Sequence, residues 1–122
     1  MDFKLEGFDA ICRMKDALLG TPGETDPTIR REIEAHAARL SGRLEDDLPA
    51  TSTSDVEPLP PSVLSYVEKV TCEAFRITDK DLESLTKLGY SDDAIFEITL
   101  SAALGAGLGR LERGLFAVKE SE

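Results

Sequence analysis

Two thiols, one imidazole and a handful of carboxylates are the side chains here with the chemistry to act on a substrate. Cys12 and Cys72 stand far apart in the sequence and form neither a C-x-x-C pair nor a metal-ligand spacing. A thiol becomes a nucleophile when a nearby cation or base favours the thiolate. Cys72 falls among Glu68, Lys69, Glu73 and Arg76, where acid and base roughly cancel, so it reads as an exposed, non-catalytic thiol. His36 is the only histidine. It shares a helical face with Ile29, Ile33, Ala37, Leu40 and Leu44, where it could act as a general base or a ligand. With no Cys, Asp or second His beside it, packing and hydrogen bonding is the commoner fate of such a residue. Glu73, Asp79, Asp81 and Glu97 are the carboxylates for acid–base work. Glu97 stands on the most apolar stretch, where desolvation predicts a raised pKa. An ion pair with an arginine, or exposure at a bundle edge, is the alternative. Asp79 and Asp81 suit the first turn of a helix. Any catalytic role therefore falls to Glu97, Asp81, Cys72 or His36. No cofactor or metal motif is present, and neither is expected.

Elements must position these groups, and the chain announces five helices. Gly7 to Leu19 carries Phe8, Ile11, Cys12, Leu18 and Leu19 at helical spacing, and Gly20-Thr21-Pro22-Gly23 stops it. Asp26 is a good N-cap and Pro27 suits the first helical position, which opens a helix over 26–44. Pro60-Pro61 opens the next, over 61–75, with Val63, Leu64, Val67, Val70, Thr71 and Ala74 on its apolar face. Thr78 and Asp81 make a capping-box pattern for a helix over 79–88, carrying Leu82, Leu85 and Leu88. Gly89 closes it in the left-handed conformation that glycine favours. Ser91 caps the last helix, over 92–118. Asp92 and Asp93 complement its dipole, and Tyr90 can staple onto Ile95. No alternating pattern or hairpin turn argues for strands.

The segment EDDLPATSTSDVEPL, 45–59, is proline, serine, threonine and acid with no apolar period, and reads as an irregular surface linker. The expectation is one all-α domain, 1–122, with an N-terminal helical pair (1–44), the linker (45–59) and a C-terminal helical unit (60–122). Neither side is large enough to bury a core alone.

The last helix is the central one. Ala94 to Leu108, AIFEITLSAALGAGL, is apolar almost all round, interrupted only by Glu97, Thr99 and Ser101. Such a helix must be covered on every side. Gly105, Gly107, Gly109 and Gly114 each cost roughly 1 kcal/mol of helix stability, so close packing has to offset them. Gly105 and Gly109 lie on one side, where a second helix backbone could approach. The occupant is either another helix of the chain's own core or another subunit; self-association is the expectation carried forward, because three of the other four helices are short. The run of consecutive apolar residues falls below the ~18 of a membrane span.

Composition sets further bounds. A net charge of −10 excludes the basic surface that phosphates require and disfavours anionic membranes. The first residues, Met1-Asp2-Phe3-Lys4-Leu5-Glu6, carry charges where a signal peptide would be apolar. A cytoplasmic protein with two free thiols is the expectation.

The run AFRITDKDLESLTKLGYSDDAIFEITLSAALGAGLGRLERGL, 74–115, resembles the alkylhydroperoxidase AhpD-like, or carboxymuconolactone decarboxylase, family. The pattern is a helix, then Gly, an aromatic residue or Leu, Ser, two acids, Ile and a long Ala-rich helix. The upstream LLGTPGETDPTIRREIEAHAA and the proline-rich lead into SYVEKV resemble members without a redox motif. The resemblance implies a small all-α bundle of AhpD-like type, commonly a homo-oligomer. Active peroxidases of the family place C-x-x-C, and a His four residues later, on the helix before the Gly-x-Ser turn. Counting back from Gly89, those positions hold Ala74, Ile77 and Asp81. Cys72 is out of register by two and has Phe75 three residues on. The dithiol cycle is therefore not expected, since it needs a resolving thiol within reach. Decarboxylating members act on a small lactone acid without a metal, a chemistry that Asp81 or Glu97 with Arg76 or Arg110 could assemble. The resemblance thus implies a non-redox oligomeric helical protein, or alternatively a cofactor-free enzyme of decarboxylase type or an unconventional thiol-dependent hydroperoxidase. Its small-molecule ligand is not specified.

Overall fold

A computed structural model of the chain describes residues 6–43 and 59–121. Five α-helices follow one another: α1 (Glu6–Gly20), α2 (Pro27–Leu40), α3 (Pro61–Cys72), α4 (Asp79–Lys87) and α5 (Asp92–Glu120). A short 3-10 turn, Ala74–Arg76, joins α3 to α4. No strand occurs among the described residues. The expected linker falls almost wholly outside them.

Local chemistry starts these helices where the sequence puts the caps. The Asp26 carboxylate accepts from the Thr28 N–H at 2.8 Å, with Pro27 opening α2. The Thr78 N–H donates to Asp81 at 2.8 Å and completes the capping box of α4. Ser91 Oγ accepts from the Ala94 N–H at 3.1 Å at the head of α5. Gly89 ends α4 with φ +100°.

Two helices stop earlier than their periodicity predicts. α2 ends at Leu40 rather than Leu44, because Gly42 turns the chain with φ +119°. The Arg43 N–H then closes on the Ala38 carbonyl at 2.9 Å, the Schellman arrangement in which glycine follows the C-cap. α3 ends at Cys72 rather than at 75, where Glu73 leaves helical geometry. Arg110 Nη2 reaches across from α5 to the Thr71 carbonyl at 2.9 Å and supplies one of the partners that this helix end lacks.

The core joins Ile33 and Ala37 of α2, Val63, Tyr66 and Val67 of α3, Leu85 of α4, and Ile95, Ile98 and Ala102 of α5. Tyr66 Oη shares a 2.6 Å hydrogen bond with Thr99 Oγ1, so the buried phenol keeps a partner. Of Leu82 and Leu85 in α4 and Leu88 at its C-cap, only Leu85 is buried; the other two face outward.

α2 lies along α5 more extensively than any other pair of helices meets. Gly105 and Gly109 make that approach possible. A Cβ on Gly105 would run into the Glu34 carbonyl, and one on Gly109 would sit 2.5 Å from the Ala38 carbonyl oxygen. The ridge expected to receive another subunit is thus filled by α2 of the same chain. Gly107 and Gly114 differ: a Cβ on either would meet nothing within 4 Å. α5 is long and apolar enough to cross a membrane by length and composition, and half of its most apolar stretch is buried against the other helices.

This difference is testable by urea denaturation in dilute solution. Gly105→Ala and Gly109→Ala are expected to destabilise the fold by about 1–3 kcal/mol through overpacking against α2. Gly107→Ala adds helix propensity and meets no atom of its own chain. It is expected to stabilise by roughly 1 kcal/mol.

Candidate functional site: the α3 groove and the buried ion pairs

Cys72 opens onto a groove of about 470 Å³ lined by Leu40, Ser65, Glu68, Lys69, Cys72 and Glu73. Leu40 comes from the end of α2 and the other five from the outer side of α3 and its cap. The thiol is free and exposed. Its neighbours include two carboxylates, and the nearby cations are committed elsewhere. Lys69 Nζ lies 3.0 Å from Asp81 Oδ2, and Arg76 Nη1 lies 3.6 Å from Glu73 Oε1. Cys12, half-buried on α1, is also free. α1 packs mainly against α2.

His36 sits on α2 beside this region. Its Nε2 faces Glu68 Oε1 of α3 at 3.5 Å, without the geometry of a hydrogen bond. Asp81 accepts from the Thr78 backbone and hydroxyl and from Lys69. The Thr78 backbone hydrogen bond and then the Lys69 ammonium hold its carboxyl below the ordinary carboxylate range. Cys72 thus ends α3 with a free thiol, while His36 and Asp81 face Glu68 and Lys69 of that helix from α2 and α4.

Glu97 lies elsewhere, where α5 meets the turn between α1 and α2. Its Oε1 accepts from the Thr25 N–H at 2.9 Å and the Thr25 hydroxyl at 2.5 Å, and its Oε2 from the Glu24 N–H at 2.8 Å. Arg30 Nε stands 3.9 Å away, an ion pair of the kind the sequence offered as an alternative. The raised pKa expected for Glu97 is corrected here. Desolvation does push it upward, but the Thr25 and Glu24 hydrogen bonds and the Arg30 charge outweigh that and hold it below its ordinary value. Thr25 and Glu24 lie more than seventy residues before Glu97 and Arg30 nearly as far, so the helix pattern around Glu97 could not announce them. Arg30 also donates to the carbonyls of Leu18, Thr21 and Thr25, which ties the end of α1 to α2.

A second ionic cluster has no counterpart among the residues singled out from sequence. Arg43 donates to both oxygens of Glu34 at 2.8 Å and through Nε to Glu112 at 2.9 Å. Glu34 and Arg43 are both buried. Burial opposes the Arg43 charge, but the hydrogen bonds and charges of Glu34 and Glu112 outweigh it and raise its pKa. The cluster links the end of α2 to α5. Glu34 and Arg43 are not at a helical pair spacing; Gly42 turns Arg43 back towards its partner, and this conjunction is the one local signal.

Among the described residues no group of three or more His, Cys, Asp or Glu side chains converges as a metal site would require. Compared with known proteins, the chain matches no family model, no curated protein and no solved structure.

Two outcomes follow. Removing the cation in Arg43→Met leaves Glu34 buried without its partner and is expected to cost about 3–5 kcal/mol, read from the urea midpoint. The second concerns acid. A carboxyl whose pKa is lowered by folding contributes stability that is fully present above its unfolded value and is lost as pH falls through the folded one. Glu97→Gln is therefore expected to lower stability near pH 7 and to narrow its gap to wild type as pH falls through the acid range. A gap that stays constant down to pH 3 would remove Glu97 from the acid-sensitive contacts.

Proposed function

We propose that this chain is a non-redox protein of AhpD-like, or carboxymuconolactone decarboxylase-like, type: a cytoplasmic helical protein that works as an oligomer and does not run a dithiol peroxidase cycle. The observation that carries this reading is the setting of Cys72. It stands in its groove beside Glu68 and Glu73, with Lys69 held by Asp81. The positions that a C-x-x-C motif would take, Ala74 and Ile77, belong to the 3-10 turn and its end rather than to a helix. Asp81, where the histidine would be, caps α4.

The acids support the same reading. Asp81 and Glu97 each accept several hydrogen bonds within the fold. A general acid has to hold a proton near working pH, and lowered carboxyl pKa values run against that. Arg110, a candidate partner for a substrate carboxylate, serves the end of α3. Self-association through α5 belongs to the reading because that helix leaves large apolar side chains outside, with Phe96 64% exposed.

A hydroperoxide turnover assay with a dithiol reductant tests the first part. Wild type and Cys72→Ser are expected to behave alike, with no turnover above the uncatalysed rate. Robust turnover abolished in Cys72→Ser would overturn the reading and restore an unconventional thiol mechanism.

A further inference from the structure

α1 stands outside the core that the other four helices build. Of its described side chains only Leu19 is buried; Ile11, Cys12, Lys15 and Leu18 are half-buried, and the rest face solvent. None of them belongs to the core cluster or packs against it. Its packing is mainly on α2. The apolar area that α1 removes from water is small, so polar contacts at its C-terminal end have to hold it in place.

Those contacts run through two side chains. Arg30 of α2 donates to the Leu18 carbonyl at 2.7 Å and to the carbonyls of Thr21 and Thr25. α1 has no basic residue in its own last turn, so this guanidinium supplies donors that the helix end lacks. Arg30 is buried, and its Nε has no hydrogen-bond partner. Glu97 Oε1 of α5 lies 3.9 Å from that Nε. The same carboxylate accepts from the N–H groups of Glu24 and Thr25 and from the Thr25 hydroxyl. Gly23 admits it: a Cβ there would lie 2.8 Å from Glu97 Oε2. One carboxylate thus pins the turn to α5 and balances the cation that holds the end of α1.

We propose that α1 and the turn at 21–25 form a strap that opens as one unit while the α2–α5 core stays folded, and that the Glu97 carboxylate is its latch. The strap pivots at Asp26. The cap there, from Asp26 to the Thr28 N–H, is local to α2 and survives opening. Opening hydrates both Arg30 and Glu97, which recovers the desolvation cost of holding the pair inside. The core gains nothing comparable when it opens, because its members are apolar side chains that water disfavours. The open strap is therefore a low-lying partly unfolded state, well below global unfolding.

Native-state hydrogen exchange of the full chain tests both halves, under conditions where rates report the opening equilibrium. Val67→Ala, in the α3 part of the core, separates local from global opening. It is expected to speed exchange at Ile98 and Ala102 while residues 12–20 keep the wild-type rate. Low urea is expected to divide the two groups in the same way, whether or not that variant folds. Glu97→Gln keeps the shape of the side chain and removes its charge. It is expected to speed exchange over 12–20 by roughly tenfold or more, the loss of one charge-assisted hydrogen bond. Asp81→Asn, which removes a carboxylate of α4 instead, is expected to leave those residues unchanged. If residues 12–20 follow Ala102 in both Val67→Ala and urea, α1 belongs to the cooperative core and there is no strap. If they exchange in wild type as fast as an unstructured peptide, nothing latches them. If the two groups divide but Glu97→Gln leaves α1 unchanged, the assignment of Glu97 as latch falls.

Discussion

Everything else in this fold depends on the close approach of α2 to α5. At Gly105 and Gly109 there is no room for even a methyl group, because the Glu34 and Ala38 carbonyls already occupy the space. Interior glycines weaken a helix, so this arrangement persists through the contact it permits: two backbones meet, and Ala37 and Ala38 on the facing side are fully buried. The packing also turns two sequence regions, 6–43 and 59–121, into one core. Ile33 and Ala37 from the first meet Ile98 and Ala102 from the second.

The charged residues reinforce the same junction at both ends. Arg30 and Glu97 secure the turn that leads into α2, and Arg43 with Glu34 and Glu112 secures its exit. Buried ion pairs contribute little net stability compared with apolar packing, but breaking one leaves a buried charge without a partner. Their placement holds α2 in a single position along α5. In the groove Cys72 stands beside Glu68 and Glu73, while Lys69 is held by Asp81.

α5 is consequently a helix with two different apolar sides. One is closed by α2 and α3. The other runs from Phe96 to Val118 and carries the two glycines that the chain's own packing does not use. Glycines on an outward helix face weaken the isolated helix and gain nothing inside the monomer.

The sequence by itself determined the class of fold and where the helices begin. Caps are interactions between residues two or three apart, so Asp26 with Thr28, Thr78 with Asp81 and Ser91 with Ala94 act alike in any context. It also contained the stop at Gly42, masked by an apolar period running on to Leu44. Tertiary structure alone decided which side of α5 becomes core, because a helix apolar all round has no period to orient it. That choice was made by the fit of Gly105 and Gly109 against the backbone of α2 at Glu34 and Ala38. It likewise decided the state of Glu97. Its apolar neighbours along the helix argue for a raised pKa, but the donors that lower it, Thr25 and Glu24, come from another part of the chain. Hydrogen bonds across such sequence distances exist only once the core has brought the two segments together.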